Sequence, residues 1–389
     1  MSEFPAHTAP SRPLRVALVT SSYNYLRDGI ALTLNRLVDY LERQGVEVLV
    51  FAPVGEKPAF AHKGTIVEIP SIPLPPRPEY RLALGLPRRA RERLDAFRPD
   101  IIHVAVPDLL GHGALRFGKK RNIPVVASYH TRYEAYMQHY WFAAIRRPLA
   151  AYLRNFYGAC RELYVPSPSM IEQLRAEGLR DNMRLWMRGV DTEAFHPAKR
   201  SDAWRLRHGI APDECVILFV GRLVREKQIA LLPEIQERLV AAGVACRLLV
   251  VGDGPDRAAL QARLPNAVFA GFLVDDELAT AYASSDIFLF PSDTETFGNV
   301  TLEAMASGLP CVCADATGSR SLVEEGATGF LVPSGDVAAY AARLQSLVQG
   351  ASARARMGAA GRVRALGFSW DEMMARLLGY YRAICGPPP

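Results

Sequence analysis

Residues 15–51 read RVALVTSSYNYLRDGIALTLNRLVDYLERQGVEVLVF. The run 15–20 is continuously apolar and closes on small polar residues. From about residue 30 to 44, Leu32, Leu34, Leu37, Val38 and Leu41 recur at helical spacing, and Gly45 ends the pattern. The run 46–51 is apolar again. A strand, a helix and a second strand, with strands apolar on both faces, predict a parallel sheet covered by helices on both sides.

The alternation extends in both directions from that unit. Residues 101–106, 124–128 and 162–165 read as further strands. Between them lie a Pro-rich loop at 69–78, a basic helix at about 88–97 and a longer helical stretch at about 135–160. The segment 187–197, MRGVDTEAFHP, breaks the pattern with Gly and Pro and reads as an interdomain crossing. Strands then resume at 216–220, 247–251, 268–270, 287–290, 310–313 and 330–332, and a last helix covers about 370–384. The expected organisation is a disordered tail at 1–13, a first domain at 14–190 and a second at 191–369. A final helix at 370–385 is expected to pack back on the first domain. The fold class is α/β, with two doubly wound, Rossmann-like domains facing each other across a cleft where the carboxyl ends of the strands bind ligand.

The chain has 389 residues, enough for two domains that each bury a core, with 49% apolar and 22% charged residues. Six cysteines contain no C-x-x-C pair, which argues against a zinc site or a thioredoxin-like site. No apolar run is long enough for a signal peptide or a membrane span. The expected location is therefore cytoplasmic, extending to peripheral attachment on the inner face of the cytoplasmic membrane. Residues 1–195 carry 27 Lys and Arg against 19 Asp and Glu, whereas residues 196–389 carry 19 against 21. The basic excess of the first half points to an anionic partner. No nucleic-acid-binding motif accompanies it, so a membrane surface is the better expectation.

The chemistry concentrates after the strand 287–290, in PSDTETFGNVTLEAMASGLP, residues 291–310. Val300, Leu302, Ala304 and Met305 place a helix start near Asn299, which reads as the N-cap. Glu295 falls just before that helix and Glu303 about one turn inside it. The unpaired N–H groups of a helix start can hold a diphosphate, and Gly298 lets the backbone approach. Two carboxylates flanking a phosphate site suit a sugar and a ribose, whose hydroxyls they can accept. On spacing alone, two glutamates favoured by the helix dipole explain the pattern equally well. Arg222 and Lys227, in FVGRLVREKQ at 219–228, follow a strand end and can converge on a leaving diphosphate. His130, in ASYHTRY at 127–133, sits at another strand end, and Gly29 follows the first.

These motifs together resemble the family 4 retaining glycosyltransferases, whose architecture is called GT-B. The resemblance runs from about Arg15 to Tyr381, and the TETFGNVTLE stretch matches the family's E-x7-E region. It implies that Glu295 contacts the donor sugar, that Glu303 binds the nucleotide ribose and that Arg222 and Lys227 bind the phosphates. Gln228 stands where family members often have Gly. His130 is implied near the donor sugar, where its imidazole can hydrogen-bond a hydroxyl. Gly29, Thr296, Phe297, Gly298 and Asn299 are implied in the donor site. VGDGP at 251–255 is implied to help build the nucleotide pocket. The backbone of Gly271, Phe272 and Leu273 is implied to read the base. Arg188, in MRGVD, resembles the form found in transferases that glycosylate diacylglycerol, such as sulfoquinovosyl- and mannosyltransferases. It can serve a donor phosphate, an acidic sugar or a hinge salt bridge.

The expected reaction is retaining transfer of a hexose-type sugar from a UDP- or GDP-linked donor to an acceptor hydroxyl. No cofactor and no metal are expected, because Arg222, Lys227 and the helix start supply positive charge, although Asp293 and Glu295 offer carboxylates. No nucleic-acid partner is expected. The acceptor is expected to be a lipid or glycolipid. Tyr133, Tyr136, Tyr140, Trp141, Phe142, Tyr152, Phe156, Tyr157 and Tyr164 are interleaved with Arg146, Arg147 and Arg154, and a second basic helix carries Arg88, Arg89, Arg91 and Arg93. A soluble or polysaccharide-precursor acceptor, and a nucleotide-sugar epimerase, stay open as alternatives.

Overall fold

The computed structural model describes residues 12–74, 77–131 and 146–386. Fifteen strands are described: β1 (Arg15–Val19), β2 (Glu47–Ala52), β3 (Thr65–Glu68), β4 (Ser71–Leu74), β5 (Arg77–Ala83), β6 (Ile101–Val104), β7 (Val125–Ser128), β8 (Leu163–Val165), β9 (Met183–Leu185), β10 (Val216–Val220), β11 (Arg247–Val251), β12 (Val268–Gly271), β13 (Ile287–Phe290), β14 (Cys311–Ala314) and β15 (Gly329–Val332).

They form two parallel sheets, in the orders β3-β2-β1-β6-β7-β8-β9 and β12-β11-β10-β13-β14-β15. In each sheet the order reverses beside its first strand, β1 or β10. The crevice for a ligand opens there, outside the carboxyl ends of the strands. Central strands are buried on both faces, as in β10, where all five residues of VILFV are buried.

The first sheet has core layers on both faces. One of them takes in Met374, Leu377, Leu378 and Tyr381 from the last helix, Trp370–Cys385. That helix therefore returns to the first sheet. The chain reaches it by a crossing that runs beside the first one: Val190 N–H donates to the Phe368 carbonyl at 2.9 Å.

Three expectations need correcting here. The Pro-rich stretch at 69–78 is not a plain loop, because β4 and β5 pair as an antiparallel ribbon. A two-stranded ribbon leaves each strand one free edge, and Pro is tolerated there. Next, Phe156, Tyr157 and Tyr164 are 3% exposed or less and belong to the core, not to an interface. Third, a strand pairing missed by the sequence reading, β8 with β9, extends the first sheet. The tail up to residue 11, the helical stretch at 135–145 and Tyr133, Tyr136, Tyr140, Trp141 and Phe142 lie outside the described residues.

Candidate functional site

A cavity of about 350 Å³ opens between the two sheets. Its lining includes Gly29, His130, Arg222, Lys227, Glu295, Thr296, Phe297, Gly298 and Asn299. Phe272, Leu273 and Glu303 are not among its lining residues. Phe272 lies 66% exposed at the end of β12.

The loop after β10 places Arg222 and Lys227. Its shape depends on the VGDGP turn beneath it, which does not line the cavity. A Cβ on Gly252 would come within 2.0 Å of the Gly221 carbonyl oxygen, and one on Gly254 within 2.4 Å of that of Leu223. Only glycine lets these two loops stack. Gln228 adopts a left-handed backbone, φ 50°, which costs a non-glycine residue about 1–2 kcal/mol. Its side chain donates to Ser334 Oγ at 2.8 Å. The turn that glycine would make easily is thus made by glutamine.

Both cations are held by neighbouring acids. Lys227 Nζ pairs with Glu295 Oε1. Arg222 donates to Tyr80 Oη at 2.8 Å and to Glu79 Oε1 at 3.4 Å, across the cleft on β5. Tyr80 lines the cavity and was missed because it lies between the loop read at 69–78 and the helix read at 88–97, in a stretch assigned to no element.

The helix Asn299–Ala306 starts one residue earlier than expected for a side-chain cap. Gly298, not Asn299, is the N-cap, with φ 98°, and no side chain caps the first turn. The first N–H groups are left for an outside acceptor. Glu303 lies one turn in and accepts from Tyr282 Oη at 3.0 Å. Burial raises its pKa to about 7, partly countered by Tyr282 and Arg36. The loop carrying Glu295 is clamped from behind. Its carbonyl accepts from Thr317 Oγ1 at 2.8 Å and from Gly318 N–H at 3.0 Å. From the first domain, Ser167 Oγ donates to the Thr296 carbonyl at 2.9 Å. Ser167 has no chemical signature in the sequence and is found only through this contact.

The wall from the first sheet is a chain of buried polar groups. Arg188 Nη2 lies 3.0 Å from His130 Nδ1. A guanidinium only donates, so Nδ1 is the unprotonated nitrogen. His130 Nε2–H then donates to Ser128 Oγ at 2.8 Å, and the Ser128 hydroxyl donates to His103 Nε2 at 3.0 Å. His103 Nδ1–H donates to Tyr381 Oη at 2.5 Å. Burial, reinforced by the charge on Arg188, holds the His130 pKa well below the usual histidine range and pushes that of His103 down to about 3. Both rings are neutral. Both nitrogens of His130 are engaged, so a sugar hydroxyl reaching that ring must displace Arg188 or Ser128. Arg188 is no hinge salt bridge: it pairs with no carboxylate among the described residues and instead donates to the Trp186 carbonyl at 3.0 Å.

Among the described residues no group of three or more His, Cys, Asp or Glu side chains is placed to hold a metal ion. No described helix is long and apolar enough to cross a membrane.

Residues 27–194 match the family described as Glycosyltransferase Family 4, and residues 214–350 match that described as Glycosyl transferases group 1. The chain is 37% identical over 383 residues to a GDP-mannose-dependent alpha-mannosyltransferase of Mycobacterium tuberculosis, covering 96% of this chain and 97% of the relative. It is 35% identical over 377 residues to the sulfoquinovosyl transferase SQD2 of Arabidopsis thaliana, covering 94% and 73%. Among solved structures, sucrose-phosphate synthase from Thermosynechococcus elongatus superposes with a TM-score of 0.79 at 21% identity, covering 95% of this chain and 99% of that one. That likeness establishes the shared fold.

Proposed function

The chain belongs to the family 4 glycosyltransferases of GT-B fold, and on that premise we propose that it is a retaining, metal-independent hexosyltransferase. It moves a sugar from a UDP- or GDP-linked donor to a lipid or glycolipid hydroxyl at a membrane surface. The observation that carries this reading is the meeting of Arg222, Lys227, Glu295 and an uncapped helix start in one cavity at the switch point of the second sheet. The relatives named above act on GDP-mannose or transfer sulfoquinovose, which agrees with a nucleotide-sugar donor here.

In this reading the two ion pairs are exchanged when donor binds. Arg222 and Lys227 turn from Glu79 and Glu295 to the diphosphate oxygens, and the helix N–H groups complete their shell. Glu295, released from Lys227, accepts hydroxyls of the sugar, while Glu303 accepts those of the ribose. As the C1–O bond to phosphate breaks, the two cations stabilise the charge that develops on the leaving oxygen. That oxygen takes the acceptor's proton, and the acceptor oxygen bonds C1 on the face the phosphate leaves. Configuration is retained without a second carboxylate facing across the bond, unlike a retaining glycosidase.

A lipid acceptor is supported by the first domain's surface. Ile72, Leu84 and Leu109 are 47%, 58% and 59% exposed around the β4–β5 ribbon. The adjoining helix Arg88–Phe97 displays Arg89, Arg91 and Arg93, none of which forms an ion pair with a described residue. Exposed apolar groups beside unpaired cations suit an anionic bilayer.

The test is incubation of the full chain with UDP- and GDP-sugars, with and without a lipid extract, followed by mass spectrometry. A glycolipid product with the donor's anomeric configuration by NMR, formed in excess chelator, is expected. Consumption of the donor without any acceptor would instead make the protein an epimerase. An inverted linkage, a chelator-sensitive rate or a purely water-soluble product would each sink the corresponding part of the reading.

A further inference from the structure

Among the described residues Arg222 and Lys227 each have a carboxylate beside them, and Arg188 does not. Its side chain is only 5% exposed, yet it lines the cavity. Its two terminal nitrogens donate to a backbone carbonyl and a neutral imidazole, and its Cζ lies 4.4 Å from the Trp186 ring centroid. A guanidinium has five N–H donors, and none of those used here meets an anion. A buried charge left without a counter-charge is strongly unfavourable, and folded chains tolerate it where a ligand supplies the partner. Nor does the neighbourhood offer a proton switch that would remove the charge: His130 already serves Arg188 as an acceptor, and its ring is fixed through Ser128, His103 and Tyr381.

We propose that Arg188 is the receptor for an anionic substituent on the transferred sugar, so that the donor is the nucleotide diphosphate of an acidic hexose, a hexuronate or a sulfohexose. The inference rests on the donor-binding reading above and adds the chemical class of the sugar. The diphosphate already has Arg222, Lys227 and the helix start, all on the second domain. Arg188 stands on the opposite wall, behind His130. The His130 carbonyl in turn accepts from Thr296 Oγ1 at 3.1 Å, next to Glu295. A sugar held by Glu295 therefore lies between the phosphate cations and Arg188 and presents its far edge to the guanidinium. A carboxylate or sulfonate there completes the fork bidentately, which a neutral hydroxymethyl group cannot do.

The experiment measures dissociation constants of the full chain for UDP, UDP-glucose, UDP-glucuronate and UDP-sulfoquinovose, and for GDP, GDP-mannose and GDP-mannuronate. Wild type is expected to bind one or more acidic donors at least tenfold more tightly than the neutral donor of the same base. Comparing the uronate with the sulfonate shows which anion fits. Arg188→Gln is expected to abolish that preference while binding the bare nucleoside diphosphate as before, which also shows that the variant is folded. Arg188→Lys, with charge but no fork, is expected to keep a reduced preference. Equal or tighter binding of the neutral donors by wild type would overturn the proposal. So would a loss of bare diphosphate affinity in Arg188→Gln with Arg188→Lys still binding, which would make Arg188 a phosphate ligand. If no nucleotide binds, and Lys227→Ala changes nothing, it is the donor-binding reading that has failed.

Discussion

Glu303 illustrates how a single burial sets a pH dependence. Its folded pKa, about 7, stands above its ordinary value of 4.5 because burial disfavours the charged form. Between those two values the unfolded chain has released the proton that the folded chain keeps, so stability falls as pH rises through that window. Glu303→Gln should remove this slope, which denaturant unfolding at pH 5 and pH 8 would reveal. If the ionised carboxylate accepts ribose hydroxyls, nucleotide affinity should rise about tenfold from pH 6 to pH 8, since the ionised fraction rises by that factor around such a pKa. The glutamine variant should bind weakly and without that trend, and a trend that survives the substitution would remove Glu303 from the ribose. Glu79 gives an effect of opposite sign. It competes with a diphosphate for Arg222, but both side chains are more than a third exposed, so the pair contributes at most about 1 kcal/mol. Glu79→Gln should therefore tighten nucleoside diphosphate binding by no more than about fivefold, readable by competition titration. A looser complex would mean that Glu79 orients Arg222 for the ligand.

At the scale of elements, the Glu295 loop depends on its contact with the helix Thr317–Leu322. A Cβ on Gly318 would come within 2.8 Å of Glu295 Cβ and 2.9 Å of the Phe297 carbonyl. Gly318→Ala should push the loop toward the cavity and lower kcat by about tenfold or more, because small misplacements at a reacting centre are costly. Binding of bare nucleoside diphosphate should fall less than turnover, since Arg222 and Lys227 sit on a different loop and only the helix start adjoins the clash. Unchanged turnover would mean that the loop absorbs the shift. None of this was legible in the sequence, where Gly318 is one small residue among several. The strands were legible, because runs such as VILFV are buried on both faces and leave a continuous apolar signal. The β4–β5 ribbon was not: Pro73 pairs opposite Arg81 in an edge ribbon, and proline in a short run speaks for a loop. The helix start at Gly298 was read one residue late for a related reason. Asn is the better side-chain cap, but the chain needs a positive φ there, and glycine supplies it. Lys227 and Glu295, singled out by their motifs, are brought together in the lining of the cavity. Those that act through contacts made across the fold, such as Ser167 and Tyr80, carry no local signal.

For the whole molecule, the two domains are joined where both chain crossings lie side by side. Trp186 belongs to a core layer of the first sheet and Val190 to that of the second, so the first crossing is completed within four residues. The return crossing passes from Phe368, in the second core, to Trp370, against the first. Gly189 is the point of contact: a Cβ there would come within 2.6 Å of both the Cα and the N of Trp370. These are backbone atoms at the start of a helix anchored in the first core by Leu377 and Tyr381, so they cannot move aside cheaply. The same crossing carries Arg188 into the cavity, and the same helix ends the hydrogen-bonded chain that runs through His103 and Ser128 to His130. The relative position of the two crossings thus sets the wall of the cavity that carries Arg188 and His130. Gly189→Ala should force them apart at a cost of about 1–3 kcal/mol, as overpacking does elsewhere. Turnover should fall well below wild type while affinity for bare nucleoside diphosphate stays close to it, if the proposed phosphate ligands Arg222, Lys227 and the helix start, all on the second domain, suffice to hold it. A thermal melt, a nucleotide titration and a rate measurement on the one variant separate these effects. Wild-type turnover with a lowered melting temperature would show that the crossings act only as struts. Loss of turnover together with loss of nucleotide affinity would show that the phosphate site itself is assembled by the closure of the two domains.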